Sequence, residues 1–266
     1  MEQTLKQLIL WARLPMLGFL LSLAIVLLQS NRLDQNLRRK NISESEIEKQ
    51  VEKARFSLDL ASRLPSLGMS NILADWTFIR FLQYFGDDEV RAKTGYGLSP
   101  DYFKVIIERD PFFTDTYDYL FSSVSLYAAQ PEVAISLTDQ ALESMSPTKP
   151  ANSYLIWRNK AIDELLLLND VNKAIASLKT SAEWAEQSPD QQAKQIAQRS
   201  LQFAEFLKTN PDSRIIRALA WSNVIVRAAD DRSRQLAIKK VEEFGGQVTI
   251  ENGAVKVFIP AQAQGK

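Results

Sequence analysis

From residue 69 to residue 244 the chain reads as one helical-period segment after another, and this recurrence constrains its fold more than any other feature. Apolar residues return at three- and four-residue spacing. Pro, Asn, Asp and Gly punctuate the runs. The pattern predicts helices near 69–85, 99–109, 113–129, 131–145, 151–168, 171–187, 190–208, 212–229 and 231–244. Helices of this length with connections of a few residues form antiparallel hairpins, and such loops leave little room for an active-site lid. The fold class is all-α.

Several segments echo one another. Helical runs close at Pro111, Pro147, Pro189 and Pro211, so the proline-to-proline steps are 36, 42 and 22 residues. Two of these lie near the roughly 34-residue period of helix-turn-helix repeats. Ala134 and Ala141 fall before Pro147, and Ala174 before Pro189. An alanine in the second helix of a hairpin lets the first approach closely, and the proline ends the unit. A single hairpin cannot bury its own apolar face, so neighbours stack.

These residues resemble degenerate tetratricopeptide (TPR) repeats. More specifically, "RLPSLGMSNILADWTFIRFLQYFGDD", "TGYGLSPDYFKVIIERDPFF" and "YLIWRNKAIDELLLLND" look like a family of membrane-anchored TPR-like proteins from cyanobacteria, over roughly residues 55–260. The resemblance implies a helical repeat domain, an α-solenoid, facing one side of a photosynthetic (thylakoid) or cell membrane. It transfers no catalytic residue.

Before the helices, residues 14–30 read LPMLGFLLSLAIVLLQS without a charge. That length is at the short end of what spans hydrocarbon. Trp11 sits where an interfacial aromatic belongs. No small-residue cleavage site follows. A single transmembrane anchor is the leading reading; a cleaved signal peptide and a helix buried in a soluble core are the alternatives. Lys6 and Arg13 precede the run, and Arg32, Arg38, Arg39 and Lys40 follow it. The balance leans toward a cytoplasmic domain, with a translocated one still open. The expected organisation is an anchor over 1–30, a linker over 31–42, TPR-like repeats over 43–244, and a tail over 245–266. Ser43 and Glu46 have the spacing of a capping box at the first helix, whose apolar stripe is Ile47, Val51, Ala54, Leu58 and Ala61. In the tail, alternating Val248 and Ile250, then Asn252-Gly253, then Val255, Val257 and Ile259 predict a β-hairpin. It either covers the last apolar face of the stack or offers a sheet edge to a partner.

Composition narrows the chemistry. The chain has no cysteine and no histidine, which removes thiolate and imidazole nucleophiles, bases and metal ligands. Lys plus Arg equals Asp plus Glu at 32 each, so no basic stripe speaks for nucleic acid. No nucleophile stands beside a base in any recognisable motif. No catalytic, cofactor-binding or metal-binding residue is expected, and no cofactor.

The densest feature is "SNILADWTFIRFLQYFGDD", residues 70–88. Its helix is apolar nearly all round, as in a helix enclosed on several sides. Either it is an inner helix of the stack, or one flank, with Trp76, Phe78, Phe81 and Phe85, meets a partner. Asp75 on this helix needs a partner if buried, and Arg158 is the candidate. Asp87, Asp88 and Glu89 lack the spacing of a calcium loop and read as a solvated turn. "TGYGLS" at 94–99 matches no phosphate-binding loop and reads as a turn before a helix capped by Ser99 with Pro100 behind it. Trp157, Trp184 and Trp221 are expected in the core. Arg158, Arg217 and Arg227 are expected to line a groove for a peptide or helix of a partner.

Two function classes follow. The first is a membrane-tethered interaction scaffold, or an assembly or accessory factor, whose partner is a subunit of a membrane complex; tethering raises effective concentration, so modest affinity suffices. The second is a small-ligand-binding protein or carboxylate-based enzyme with an all-helical pocket. A polar pocket at Asp75, or at Asp163 and Glu164, would favour it.

Overall fold

Helical periodicity becomes helix along nearly the whole described chain. The computed structural model describes residues 22–27, 43–209, 214–227, 231–251 and 254–259. It is mostly helical and ends in one two-stranded antiparallel sheet. The helices are α1 (Glu44–Arg63), α2 (Ser70–Phe85), α3 (Asp88–Thr94), α4 (Ser99–Arg109), α5 (Tyr117–Leu120), α6 (Pro131–Leu142), α7 (Ser153–Leu166), α8 (Val171–Gln187), α9 (Ala193–Thr209), α10 (Arg214–Arg227) and α11 (Asp231–Glu243). The strands are β1 (Gln247–Glu251) and β2 (Ala254–Phe258).

The chain divides into two compact units, Met1–Lys53 and Ala54–Lys266. In the first, residues 22–27 are helical, and Leu23, Ile25, Val26 and Leu27 are exposed. Most of the 14–30 run, and with it the anchor assignment, lies outside the described residues. Among the described residues no helix is long and apolar enough to cross a membrane. At the start of α1 the capping box forms as expected: the Ser43 backbone N–H donates to Glu46 Oε2 at 3.3 Å, and the Glu46 N–H to Ser43 Oγ at 3.4 Å.

In the second unit α8 is the axis. Leu165 near the end of α7 meets Ala174 near the start of α8, while Tyr154 at the start of α7 meets Ala182 and Ala185 at the end of α8. The two helices therefore run antiparallel. The same ordering holds for α8 and α9: Ala193 and Ala197 join Ala185, and Ala204 and Leu207 join Ala174 and Leu178. Ala134, Ala141 and Ala174 are fully buried, as the spacing before each proline requires. Successive antiparallel helices packed through alanine are compatible with an α-solenoid.

The predicted helix over 113–129 is not regular. It opens as a 3-10 turn at Thr114–Thr116, passes through α5, and widens into a π-helix over Phe121–Tyr127. The Ala128 N–H reaches back five residues to the Ser123 carbonyl at 2.9 Å. Ala129 then adopts φ 54° before Pro131 starts α6.

The last two helices and the strands close a separate cluster. Trp221 and Ile225 of α10 pack on Ala237 and Val241 of α11, with Val248, Val255 and Val257 laid against them. Val248 pairs with Val257, and Ile250 with Val255. The hairpin thus covers an apolar helix face. A Cβ at Gly246 would stand 2.6 Å from Val241 Cγ1, so this close approach needs glycine.

Close alanine packing at α8 predicts a sharp contrast. Ala182→Leu forces bulk into a site with 1% exposure and lowers stability by about 1–3 kcal/mol in chemical denaturation. Ala176→Leu, on the exposed side of the same helix, changes it by less than about 0.5 kcal/mol.

Candidate docking surface

The aromatic helix α2 has two unlike faces. Ala74, Thr77, Phe81 and Tyr84 recur at three- and four-residue steps and are buried. Phe81, with no exposed surface, is the hub: its centroid lies 4.8 Å from Phe103, 5.4 Å from Phe85, 5.8 Å from Tyr102 and 6.0 Å from Phe78. Edge-on and offset ring pairs contribute about 0.5–1.5 kcal/mol each beyond their burial. The Tyr84 hydroxyl accepts from the Leu98 N–H at 3.1 Å, and the Arg91 guanidinium lies 3.9 Å over the Tyr84 ring. Phe81 therefore offers nothing to a partner. Phe78 and Phe85 are half-buried, spent on Phe113, Tyr119, Tyr96 and Tyr127. Trp76 is turned outward and is 61% exposed.

The opposite face carries Ile72, Trp76 and Ile79, all exposed. On α1, Phe56 and Leu60 are also exposed, and Leu64, Leu67 and Met69 in the connecting turn continue the series. Leu67, with φ 46°, is 81% exposed. The periodicity for this was present: Phe56, Leu60 and Leu64 are four apart, opposite the stripe read as the core. Groups of large apolar side chains left in water mark interaction surfaces far more often than lone ones do, and α1 and α2 each carry such a group. Along the same stretch of chain Arg55, Arg63 and Arg80 alternate with Asp59 and Asp75, and Arg63 pairs with Asp59 at 2.7 Å.

The remaining expectations fare differently. Asp75 is exposed and is not enclosed, so the expected pairing with Arg158 has no burial to require it. The acidic group at 87–89 is not an irregular turn: Asp87 caps α3, accepting from the Val90 N–H at 3.3 Å. Leu98, not Ser99, is the cap of α4, and Ser99 is its buried first residue. Trp221 is in the core, whereas Trp157 and Trp184 are half-buried and meet edge-on at 5.7 Å. Of the three groove arginines, Arg158 is half-buried. Arg217 donates to Asn169 Oδ1 and lies 4.1 Å over the Phe244 ring. The side chain of Arg227 lies outside the described residues.

A buried polar layer crosses α6, α7 and α8 instead. Lys160 pairs with Asp139 and stands 3.7 Å from Glu164, which accepts from Ser177 Oγ at 2.7 Å. Burial pushes the Glu164 carboxyl up, against the Ser177 donor and the Lys160 charge. One residue earlier, Asp163 is buried and accepts from Ser125 Oγ on the π-helix. Burial pushes its carboxyl up to about 7, with the Ser125 bond opposing and the Glu164 charge reinforcing. The Lys160–Glu164 spacing of four was legible as a helix pair; its enclosure by α6 and α8 was not.

No protein-family model matches this chain, and no curated protein or solved structure matches it.

Two expectations follow from the layer. Lys160→Met leaves Glu164 buried without its cation and lowers stability by about 3–5 kcal/mol, and adding Glu164→Gln restores most of the loss. For Asp163 the folded carboxyl binds its proton more tightly than the unfolded one, so its contribution to stability is complete at low pH and is lost as pH rises through about 7. Asp163→Asn should therefore gain on the parent chain between about pH 4 and about pH 8, by up to about 4 kcal/mol. Denaturation of both chains across that range tests the sign.

Proposed function

We propose that this chain is a membrane-tethered protein–protein interaction scaffold, an assembly or accessory factor for a membrane complex. In this reading residues 14–30 form a single-pass anchor, and a stack of degenerate TPR-like hairpins presents the outer stripes of α1 and α2 to a subunit of that complex. The observation that carries it is the exposed apolar series from Phe56 through Leu67 to Ile79. Its surroundings favour protein over lipid. A surface that lies on anionic lipid gathers basic residues, whereas Asp59 and Asp75 are interspersed here with Arg55, Arg63 and Arg80. An aromatic and aliphatic centre within a rim of both signs is the composition of protein interfaces. The anchor supplies proximity, so the surface need not bind tightly in free solution.

The test is a photo-crosslinking side chain placed at Trp76 in the full chain and activated in native membranes. The expected result is one discrete protein adduct, lost when Ile72 and Ile79 are changed to Ser. Because both side chains are exposed, these changes leave the helix content and melting of the chain intact. Adducts with lipid alone, or an adduct unchanged by Ile72→Ser with Ile79→Ser, would overturn the assignment.

A further inference from the structure

A cleft of about 280 Å³ lies between the 117–127 segment, α7 and α10. It is separate from the aromatic helix and shares Asp163 with the buried polar layer. At roughly 30 Å³ for each liquid water, it holds a molecule of about ten non-hydrogen atoms. Leu126, Ile162, Leu166 and Val224 line it, with the rings of Phe121 and Trp221. Four polar residues interrupt this apolar wall: Asp118, Ser122, Asn159 and Asp163, of which Ser122 donates to the Asp118 carbonyl at 2.9 Å.

The charge arrangement is one-sided. Two carboxylates face the cleft, and no lysine or arginine is among the residues that line it. Asp118 accepts from Asn159 Nδ2 at 2.9 Å, and Asp163 accepts from Ser125 Oγ. Both bonds are from neutral donors. Two cations on the packed elements are engaged elsewhere: Lys160 with Asp139 and Glu164, and Arg217 with Asn169 and the Phe244 ring. Trp221 is 1% exposed, and its indole Nε1–H is enclosed, with no acceptor among the described residues. An open apolar cleft with two carboxylates and aromatic rings matches an organic cation. The ammonium makes charge-assisted hydrogen bonds to the carboxylates, and the rings receive the body and part of the charge.

We infer that this cleft binds a small organic amine: an ammonium group at Asp163 and Asp118, and an apolar or aromatic body against Phe121, Leu126 and Trp221. The π-helix contributes directly, because it supplies Phe121, Ser122 and Leu126 to the cleft and the Ser125 hydroxyl that holds Asp163. Such turns recur at functional sites, where the widened backbone redirects side chains.

The probes are three molecules with one phenol ring: tyramine, tyrosol, its neutral alcohol analogue, and 4-hydroxyphenylacetate, its anionic one. The full chain in detergent is labelled with ¹⁵N-tryptophan, and the Trp221 indole resonance is assigned by its loss in Trp221→Phe. Tyramine should shift that resonance and bind at least about tenfold more tightly than tyrosol above neutral pH, and 4-hydroxyphenylacetate should bind more weakly than tyrosol. The tyramine preference should shrink as pH falls below about 7, where Asp163 gains its proton, while tyrosol binding stays constant. Asp163→Asn keeps an acceptor for Ser125; Asp118→Asn changes an exposed side chain and guards against misfolding of the first variant. Each should reduce the tyramine preference, and together they should abolish it. Equal binding of tyramine and tyrosol, an unchanged preference in the double variant, or no shift of Trp221 at millimolar tyramine overturns the assignment. The photo-crosslinking at Trp76 reads a different face and does not depend on this result.

Discussion

The alanine and serine seam around α8 is the constraint on which the placement of α7 and its polar side chains depends. Ala174, Ala182 and Ala185 are fully or nearly fully buried between α7 and α9. Ser181 donates to the Tyr154 carbonyl at 2.9 Å and meets Ser200 at 3.5 Å. Residues this small allow the backbones to approach, so a single added methylene is felt across two interfaces. The seam fixes α7, and α7 in turn carries Lys160 and Glu164 toward α6 and α8 and Asp163 toward the π-helix.

The two ends of this unit are built on different packing. Around α2 the interior is made of rings, with Phe81 at its centre. Around α8 it is made of methyl groups and hydroxyls. Rings fill wide gaps and tolerate irregular neighbours, which suits a region where a 3-10 turn, an α turn and a π-helix follow within fourteen residues, from Thr114 to Tyr127. Small residues demand parallel ridges and give regular helices. The exposed apolar stripe sits on the ring-packed end and the Asp163 cleft near the junction of the two kinds of packing, so the two candidate sites rest on different supports.

Helix existence, most helix boundaries and the hairpin were legible from spacing and punctuation alone. Three things were not. The short helix α3 was hidden because Asp87, Asp88 and Glu89 read equally as a solvated turn; only the Val90 N–H shows them to be a helix start. The π-helix was hidden because its side chains keep a helical spacing within error over seven residues, and the difference lies in backbone hydrogen bonds. The facing of α2 was ambiguous because a helix apolar all round has no weak side from which to choose. Phe81 and Trp76 are both aromatic and five residues apart; which one is enclosed was decided by Tyr102 and Phe103 on α4, far along the chain. The repeat period was visible through its alanines and prolines, whereas the groove arginines rested on a concave surface that no spacing specifies.

The end of α1 has a mechanical consequence. Helix termini leave carbonyls without partners, and here the guanidinium Nη2 of Arg109 stands 2.6, 2.7 and 2.8 Å from the carbonyl oxygens of Ala61, Ser62 and Leu64. One side chain from the last turn of α4 thus clamps the last turn of α1 through its backbone, where no substitution within α1 can remove the acceptors. A pull on the end of α1 along its axis would load this clamp in shear. Shear loads several hydrogen bonds together, whereas peeling breaks them one at a time. The residue that sets the force at which the end of α1 detaches from α4 would then be an arginine more than forty positions away from the helix it holds.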